Sequence, residues 1–367
     1  MMKRANKTLT FGLLLLLVGC QQSAEYESDH ALFRFDNQRS GYVDKNGPIT
    51  FSTANWVFTS NGEGAASSPV VYGGQVFSGH YDGVLYALSL DAGEISWQFQ
   101  ADDAIFSTPL VTSTRIFFGS DDGYVYGINH DGELLWKFQT DDKVFASPIL
   151  IDGVVYIGSL DGYLYALDAK SGTLNWRFKT NAAVDSSVAL LNDTLVFGSD
   201  DGHVYQLNQT GELIWQYDVG SAVDATPAVV GDTFYVGTDL GLLLKLTPGQ
   251  SEPIWQYQAE NRIFGSIAAY EDQVIAATTG GDVLSVSAEK GALQWSFDAE
   301  APIFASPLLT QNAVYIGSMA GEMFIVDART GQALASYDAG WPIFGSATVV
   351  NERLLFNSDD GDVFVFK

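Results

Sequence analysis

Short apolar runs, separated by polar turn residues, follow one another along most of this chain. Residues 144–178 contain one complete unit, with β-branched and aromatic runs at 144–148, 155–159, 163–167 and 174–178. Runs of this length and composition, bounded by Gly, Asp, Ser and Pro, are typical of β-strands. The pattern therefore predicts a four-stranded antiparallel meander for each unit.

The turn between the second and third runs carries the strongest local signal. In this unit it is Asp161-Gly162, and an Asp-Gly pair favours a tight hairpin turn in which both central residues have positive φ. The glycine recurs at Gly83, Gly123, Gly162, Gly202, Gly241, Gly281, Gly321 and Gly361. The aspartate is replaced by Leu240, Gly280 and Ala320 in three units, which indicates a steric requirement for glycine and only a preference for aspartate.

Successive copies of this glycine lie 39 or 40 residues apart, and a tryptophan follows the same period. Its copies are Trp97, Trp136, Trp176, Trp215, Trp255 and Trp295. A short β-unit repeated at this period cannot bury its apolar face alone, so the units must pack on one another. We expect each tryptophan to pack against the neighbouring sheet.

The two ends of the repeat region predict how it closes. The eighth unit reaches Phe366 with three strands, while Asn55–Phe58 carries the Trp-x-Phe pattern of a fourth strand 41 residues before Trp97. The prediction is an all-β fold, an eight-bladed β-propeller of four-stranded antiparallel blades, the last blade closed by an N-terminal strand. The alternative, a linear β-solenoid, leaves that strand without a place.

The repeats resemble those of the pyrroloquinoline-quinone-like propeller family. Residues 158–176 match its signature almost position by position, and the resemblance covers residues 56–367. Residues 33–42 also resemble the leader segment that often precedes such repeats. The resemblance implies the propeller fold. It leaves the function open, because the family contains quinoprotein dehydrogenases as well as assembly factors.

The first twenty residues have the pattern of a secretion signal. Three basic residues precede an apolar stretch over residues 9–18, which is too short to span a bilayer, and Cys20 follows. Cys20 is the only cysteine of the chain, so its position predicts cleavage and lipidation there, in preference to an ordinary buried thiol. Gln21, by resemblance to the sorting rules of bacterial lipoproteins, favours the outer membrane.

These patterns divide the chain into three parts. We expect a lipoprotein signal peptide over residues 1–19, a lipidated cysteine with a flexible tether and leader over 20–52, and the propeller over 53–367. The predicted location is the outer membrane, facing the periplasm.

The chain is strongly acidic. Its net charge is −26, and without residues 1–19 it keeps 15 basic against 44 acidic residues. This charge argues against nucleic acid and anionic lipid surfaces as partners, because phosphate attraction requires the opposite sign. In the predicted propeller, many carboxylates fall on the face that holds the turns between the second and third strands of each blade. Aspartate also favours turns and solubility, which is the alternative explanation.

A ring of residues at the start of the first strand of each blade is the candidate partner-binding site. Inner strands line a propeller channel, so these side chains should surround one mouth of it. The candidates are Phe106, Phe145, Asp185, Asp224, Phe264, Phe304 and Phe344, with Ala66 in the first blade and Trp341 as a further aromatic on the same face. One interpretation is packing of the channel entrance. The other is docking of a partner segment with apolar anchors and a positive charge.

No catalytic motif is present, and the sequence predicts neither a cofactor nor a metal site. Quinoprotein dehydrogenases of the resembling family have a vicinal cysteine pair, which a single cysteine cannot supply. The enzyme alternative is a periplasmic quinoprotein-type or sugar-active enzyme with its site at the ring of Phe and Asp residues.

The combined features resemble the BamB family of outer-membrane assembly lipoproteins. This resemblance implies a non-catalytic, outer-membrane-anchored scaffold for protein–protein interaction, with partners in the bacterial envelope that include the machinery for assembling β-barrel outer-membrane proteins. A binding module for another envelope partner is the alternative within the same class.

Overall fold

The computed structural model describes residues 30–60, 64–65 and 67–367. The predicted signal peptide, Cys20 and Ala66 lie outside the described residues. Within these ranges the fold has eight sheets, each built on an antiparallel meander of four strands. In seven of them the four strands are consecutive in the chain, and in the eighth an N-terminal strand joins the last three strands. The predicted eight-bladed β-propeller is confirmed. Strands are labelled A to D within each blade, from the channel outward.

The strand bounds of blades 1 to 4 are as follows. Blade 1 has Val70–Tyr72, Gln75–Gly79, Val84–Ser89 and Ile95–Gln100, and blade 2 has Leu110–Thr112, Ile116–Gly119, Tyr124–Ile128 and Leu134–Gln139. Blade 3 has Ile149–Ile151, Val154–Gly158, Tyr163–Asp168 and Leu174–Lys179, and blade 4 has Ala189–Leu191, Thr194–Gly198, His203–Asn208 and Leu213–Asp218.

The second half repeats the arrangement. Blade 5 has Ala228–Val230, Thr233–Gly237, Leu242–Leu246 and Trp255–Gln258, and blade 6 has Ala268–Tyr270, Gln273–Ala277, Asp282–Ser287 and Leu293–Asp298. Blade 7 has Leu308–Thr310, Ala313–Gly317, Glu322–Asp327 and Ala333–Asp338, and blade 8 has Thr348–Val350, Arg353–Asn357, Asp362–Phe366 and Trp56–Thr59. Two further short strands, His30–Ala31 and Tyr42–Val43, belong to the leader.

Blade 8 is closed by the N-terminal strand, as predicted. Trp56–Thr59 pairs antiparallel with Asp362–Phe366, and Trp56 lies opposite Val365. The Trp56 indole donates a hydrogen bond of 2.9 Å to the Leu90 carbonyl of blade 1. The closing strand therefore completes a sheet and joins the last blade to the first.

The recurring tryptophans connect neighbouring blades. Trp136 of blade 2 is buried, and its indole donates a 3.1 Å hydrogen bond to the Ala169 carbonyl in the C–D turn of blade 3. Trp176, Trp255 and Trp295 make the same bond to the carbonyls of Gln209, Ala288 and Ala328. These side chains pack on the next sheet and satisfy their polar group there, which confirms their predicted role.

A ring of Ser and Thr hydroxyl groups surrounds the channel. In each blade, the Ser or Thr lies two residues after the candidate partner-binding position, and its hydrogen bonds explain why it recurs. At seven junctions, the backbone N–H of this residue donates to the hydroxyl oxygen of its counterpart in the next blade, as Ser187 does to Thr226 at 3.1 Å. The members are Ser68, Thr108, Ser147, Ser187, Thr226, Ser266, Ser306 and Ser346. This motif therefore has a structural role in holding the blades together.

The leader, residues 30–52, runs along the A strands that line the channel and then passes to the outer strands of blades 7 and 8. His30–Ala31 pairs with strand A of blade 2, and Tyr42–Val43 pairs in parallel with strand A of blade 7. Between them, carbonyls of residues 37, 38, 40 and 41 accept hydrogen bonds from the A strands of blades 4 to 7. The segment thus follows the inner wall of the ring.

Across the described ranges, no helix is long and apolar enough to cross a membrane.

Candidate functional site

The structure brings the predicted ring together around one cavity at a mouth of the channel. We call the ring the collar, and its members in the described residues are Phe106, Phe145, Asp185, Asp224, Phe264, Phe304 and Phe344. The cavity measures about 430 Å³, and Phe33 of the leader lies at its inner end together with the hydroxyl ring. The collar, the hydroxyl ring and Phe33 therefore line one cavity, which we call the cup.

The collar aromatics form two arcs. Phe106 packs on Phe145 with ring centroids 5.1 Å apart, and Tyr81 extends this arc at 5.0 Å from Phe106. On the other side, Phe264, Phe304 and Phe344 lie in sequence at 5.4 and 6.1 Å. The arcs are separated by the carboxylates of blades 4 and 5, so the cup has apolar walls and one acidic side.

Above the collar lies a second ring, which we call the rim. It consists of the B–C turn residues Tyr81, Asp121, Leu160, Asp200, Asp239, Thr279, Met319 and Asp359. The backbone N–H of each rim residue donates to a carbonyl two positions before the collar residue of its own blade, as Asp200 does to Ala183 at 3.0 Å. These bonds hold the B–C turns against the D–A connections, so both lie on one face as predicted.

Four carboxylates meet where the rim and collar cross blades 4 and 5. Oxygens of Asp185, Asp200 and Asp224 all lie within 4.8 Å of one another. Arg262 of blade 6 is the basic residue of this cluster, and its guanidinium contacts Asp224 and the fourth carboxylate, Asp239. The sequence indicated Asp185 and Asp224 as neighbours, but it did not indicate that Asp200, Asp239 and Arg262 join them.

Two predicted residues are not part of the cavity. Trp341 lies in the D–A connection before blade 8 and is 56% exposed, outside the lining of the cup. It remains an accessible aromatic on the same face, because its neighbour Pro342 accepts the backbone hydrogen bond of rim residue Asp359. Cys20, the predicted lipidation site, lies outside the described residues.

The family of the protein follows from the repeat region. The family model for outer membrane protein assembly factor BamB matches residues 45–150, 103–223 and 200–365. The chain belongs to this family. No curated protein sequence shows a significant match.

Solved structures show the same fold at low sequence identity. BamB from Moraxella catarrhalis is 20% identical with a TM-score of 0.74, and the match covers 86% of this chain and 97% of that one. A europium-containing methanol dehydrogenase is 12% identical with a TM-score of 0.76, covering 93% and 98%. The computationally designed Ika8 protein is 16% identical with a TM-score of 0.74, covering 88% and 99%. At these identities, the likeness establishes the fold alone.

Burial and like charge disfavour the ionised form of the carboxyl groups in the acidic cluster of this BamB-family chain. The pKa of Asp200 is raised to about 7, first by burial and then by the neighbouring carboxylates Asp224 and Asp239. Burial also raises the pKa of Asp185 well above its usual range, and Asp224 adds to this effect. Such a cluster favours a bound cation or a shared proton, because either one reduces the repulsion between carboxylates.

Two buried arginines, Arg34 and Arg39, hold the leader against the blades, and the sequence did not predict them. Arg34 donates to the carbonyl of Pro307, and Arg39 donates to the carbonyls of Val188 and Pro148. Burial lowers the pKa of both guanidinium groups to about 9, so both remain charged at neutral pH. A second cavity, of about 1050 Å³, is lined by leader residues and by the A–B turns of blades 1 and 8.

Proposed function

We propose that this protein is a non-catalytic, BamB-type scaffold that takes part in the assembly of outer-membrane proteins. The observation that carries the proposal is the family match, which extends over residues 45–365. The structural likeness to BamB from Moraxella catarrhalis supports it through the fold. The protein would act by holding partner proteins of the bacterial envelope in place.

We propose further that Cys20 carries a lipid that anchors the chain to the outer membrane on its periplasmic side. The support is the basic and apolar signal pattern before the only cysteine of the sequence. Mass spectrometry of the purified protein should find acyl groups on an N-terminal Cys20, and Cys20→Ser should abolish them. An unmodified N-terminus beyond residue 20 would contradict the anchor.

The collar is the proposed docking site for the partner. Its two arcs offer a half-buried apolar cup, and the acidic side offers charge for orientation. Clusters of aromatic side chains in a pocket are frequent anchor points in protein–protein interfaces. An extended partner segment would place apolar side chains between the arcs.

Affinity purification from solubilised envelopes tests this function directly. We expect the wild-type chain to capture components of the outer-membrane assembly machinery, and Phe304→Ala with Phe344→Ala to weaken capture about tenfold or more. Tyr270→Ala is the matched control, because Tyr270 stacks on Tyr42 of the leader, far from the collar in the blade. Capture that is equal in the collar variant and the wild type would refute docking at the collar. Absorbance of a bound quinone in the purified protein would instead favour the enzyme alternative.

A further inference from the structure

Two basic side chains of the protein show how the collar and rim hold a cation. Lys143 lies 2.7 Å from the Asp121 carboxylate and 5.8 Å from the centroid of the Phe145 ring. Arg262 contacts Asp239 and lies 4.8 Å from the centroid of Phe264. In both cases a positive group sits between a rim carboxylate and the face of a collar phenylalanine, which is the geometry of a cation–π contact supported by an ion pair.

Both basic residues occupy the same position of the repeat. Each precedes the collar residue of its blade by two positions, and each contacts the rim carboxylate of the preceding blade. Asp359 of blade 8 also has a partner from the next blade, because the Tyr81 hydroxyl is hydrogen-bonded to it. Three of the four rim carboxylates are therefore matched by a polar side chain from the following blade.

Asp200 is the rim carboxylate for which the repeat supplies no such side chain. The residue of blade 5 that corresponds to Lys143 and Arg262 is Ala222. A methyl group cannot pair with a carboxylate, and the side-chain hydrogen bond of Asp200 is made to another acid, Asp224. The rim thus lacks a basic side chain beside Asp200, within the cluster of carboxylates. We call this position beside Ala222 the gap.

Asp185 adds a second, independent observation below this gap. It is the collar residue of blade 4 and lines the cup. Its Oδ1 atom is shielded from solvent and has no hydrogen-bond partner among the residues that the structure describes. A buried carboxylate oxygen without a donor is costly, so this atom points to a ligand that brings N–H groups into the cup.

We propose that Asp185 and Asp200 bind an arginine or lysine side chain of an extended partner segment, which enters the gap beside Ala222. This inference rests on the proposed scaffold function and names the chemistry of its partner. A guanidinium can donate to both carboxylates at once, while the apolar neighbours of the basic residue contact the phenylalanine arcs. A basic side chain fits better than a divalent ion, because Arg262 already places a positive charge against Asp224.

A pair of peptides tests the assignment on the full-length protein. The probes are acetylated and amidated Phe-Arg-Phe and its Phe-citrulline-Phe counterpart, which keeps the shape and removes the charge. We expect calorimetric titration to show about tenfold tighter binding of the arginine peptide in dilute salt, with the difference reduced at high salt. Calcium chloride is titrated separately as the divalent alternative.

Two variants of the protein locate the effect. Ala222→Arg supplies the missing cation from the protein itself, and we expect it to bind both peptides equally. Asp185→Asn with Asp200→Asn removes the negative charge without changing the shape of the side chains. We expect this variant also to bind both peptides equally, so it tests the assignment even if Ala222→Arg does not fold. Ala104→Arg is the matched control, since Ala104 holds the corresponding position in blade 2, behind the rim residue Tyr81, and should keep the tenfold preference.

Several outcomes would overturn the inference. They are equal affinity of the two peptides for the wild type, no binding of either peptide at millimolar concentration, an unchanged preference in Ala222→Arg, or saturable calcium binding that displaces the arginine peptide. The proposed function is judged separately by capture in the Phe304→Ala and Phe344→Ala variant. Weakened capture with equal peptide affinities would leave the scaffold function in place and remove only the charge assignment.

Discussion

Glycine in the C–D turns is required both by the positive φ of the backbone and by a close contact with a tryptophan ring. Gly172 has φ of +70°, and a Cβ at this position would lie 2.6 Å from the ring of Trp136, which packs on it from the preceding blade. Gly153, in the A–B turn of the same blade, has φ of +80° with nothing within 4 Å. The first glycine is required by conformation and contact, whereas the second is required by conformation alone.

Replacing these two glycines separates the two demands. Gly153→Ala should cost about 1–2 kcal/mol of unfolding free energy, because alanine must adopt a left-handed conformation. Gly172→Ala should cost about 1–3 kcal/mol more, since the added methyl group displaces the Trp136 ring. Denaturant unfolding measures both, and equal costs would show that the tryptophan contact tolerates the methyl group.

The acidic cluster makes stability depend on pH. In the folded state the pKa of Asp200 is raised to about 7, so between roughly pH 4 and 7 the folded protein binds a proton that the unfolded chain releases. This contribution favours folding at low pH and is lost as the pH rises through that window. Asp200→Asn should therefore raise the melting temperature at pH 8 and have little effect near pH 4.

Asp168 provides the opposite case as a control for the Asp200 experiment. Hydrogen bonds from Ser171 lower the pKa of Asp168 below its usual value in the C–D turn of blade 3. Its ionised form is favoured by folding, so Asp168→Asn should lower stability at neutral pH. If Asp200→Asn also lowers the melting temperature at pH 8, the carboxylates of the cluster do not repel one another as described.

The sequence identified the leader as a segment before the repeats, but it did not predict where this segment lies in the fold. Residues 33–42 carry no repeat signal, and their position in the channel depends on bonds between guanidinium groups and carbonyls more than a hundred residues away. Arg34 and Arg39 both have positive φ, so the surrounding contacts must hold this backbone in place. Such long-range contacts leave no periodic trace in the sequence.

A single arginine should account for much of the leader's attachment. Arg39→Met should cost about 3–5 kcal/mol, because Arg39 is fully buried and its loss leaves carbonyls of blades 3 and 4 without donors. Gln38→Ala is the matched control, since its side chain is exposed and its backbone carbonyl still accepts from Val229. Thermal unfolding and limited proteolysis of the leader measure the difference. Similar behaviour of the two variants would show that the backbone bonds alone hold the leader.

At the scale of the whole molecule, periodicity determined what could be predicted. The recurring glycine and tryptophan predicted eight blades, the closing strand and the collar, because repeat equivalence places equivalent residues at equivalent points of a ring. The gap at Ala222 and the contact of Arg262 with Asp239 were not predicted. These features depend on the conformation of side chains that extend from one blade to the next, and the repeat spacing does not determine those conformations.

Closure of the ring by strand D of blade 8 is the last prediction. We compare a chain that lacks residues 1–52 with one that lacks residues 1–59, so that both lose the leader and only the second loses Trp56–Thr59. The longer deletion removes the Trp56 bond to Leu90 and the packing of Phe58 on Tyr86, whose ring centroids are 5.1 Å apart. It also exposes the outer edge of Asp362–Phe366, which is then free to pair with another chain.

We expect the longer deletion to lose about a further 3–5 kcal/mol of unfolding free energy and to form dimers or aggregates, as seen by thermal unfolding and light scattering. Equal stability with both chains monomeric would mean that three strands suffice for blade 8, and that the contacts of blade 1 with blade 8 close the ring without the N-terminal strand.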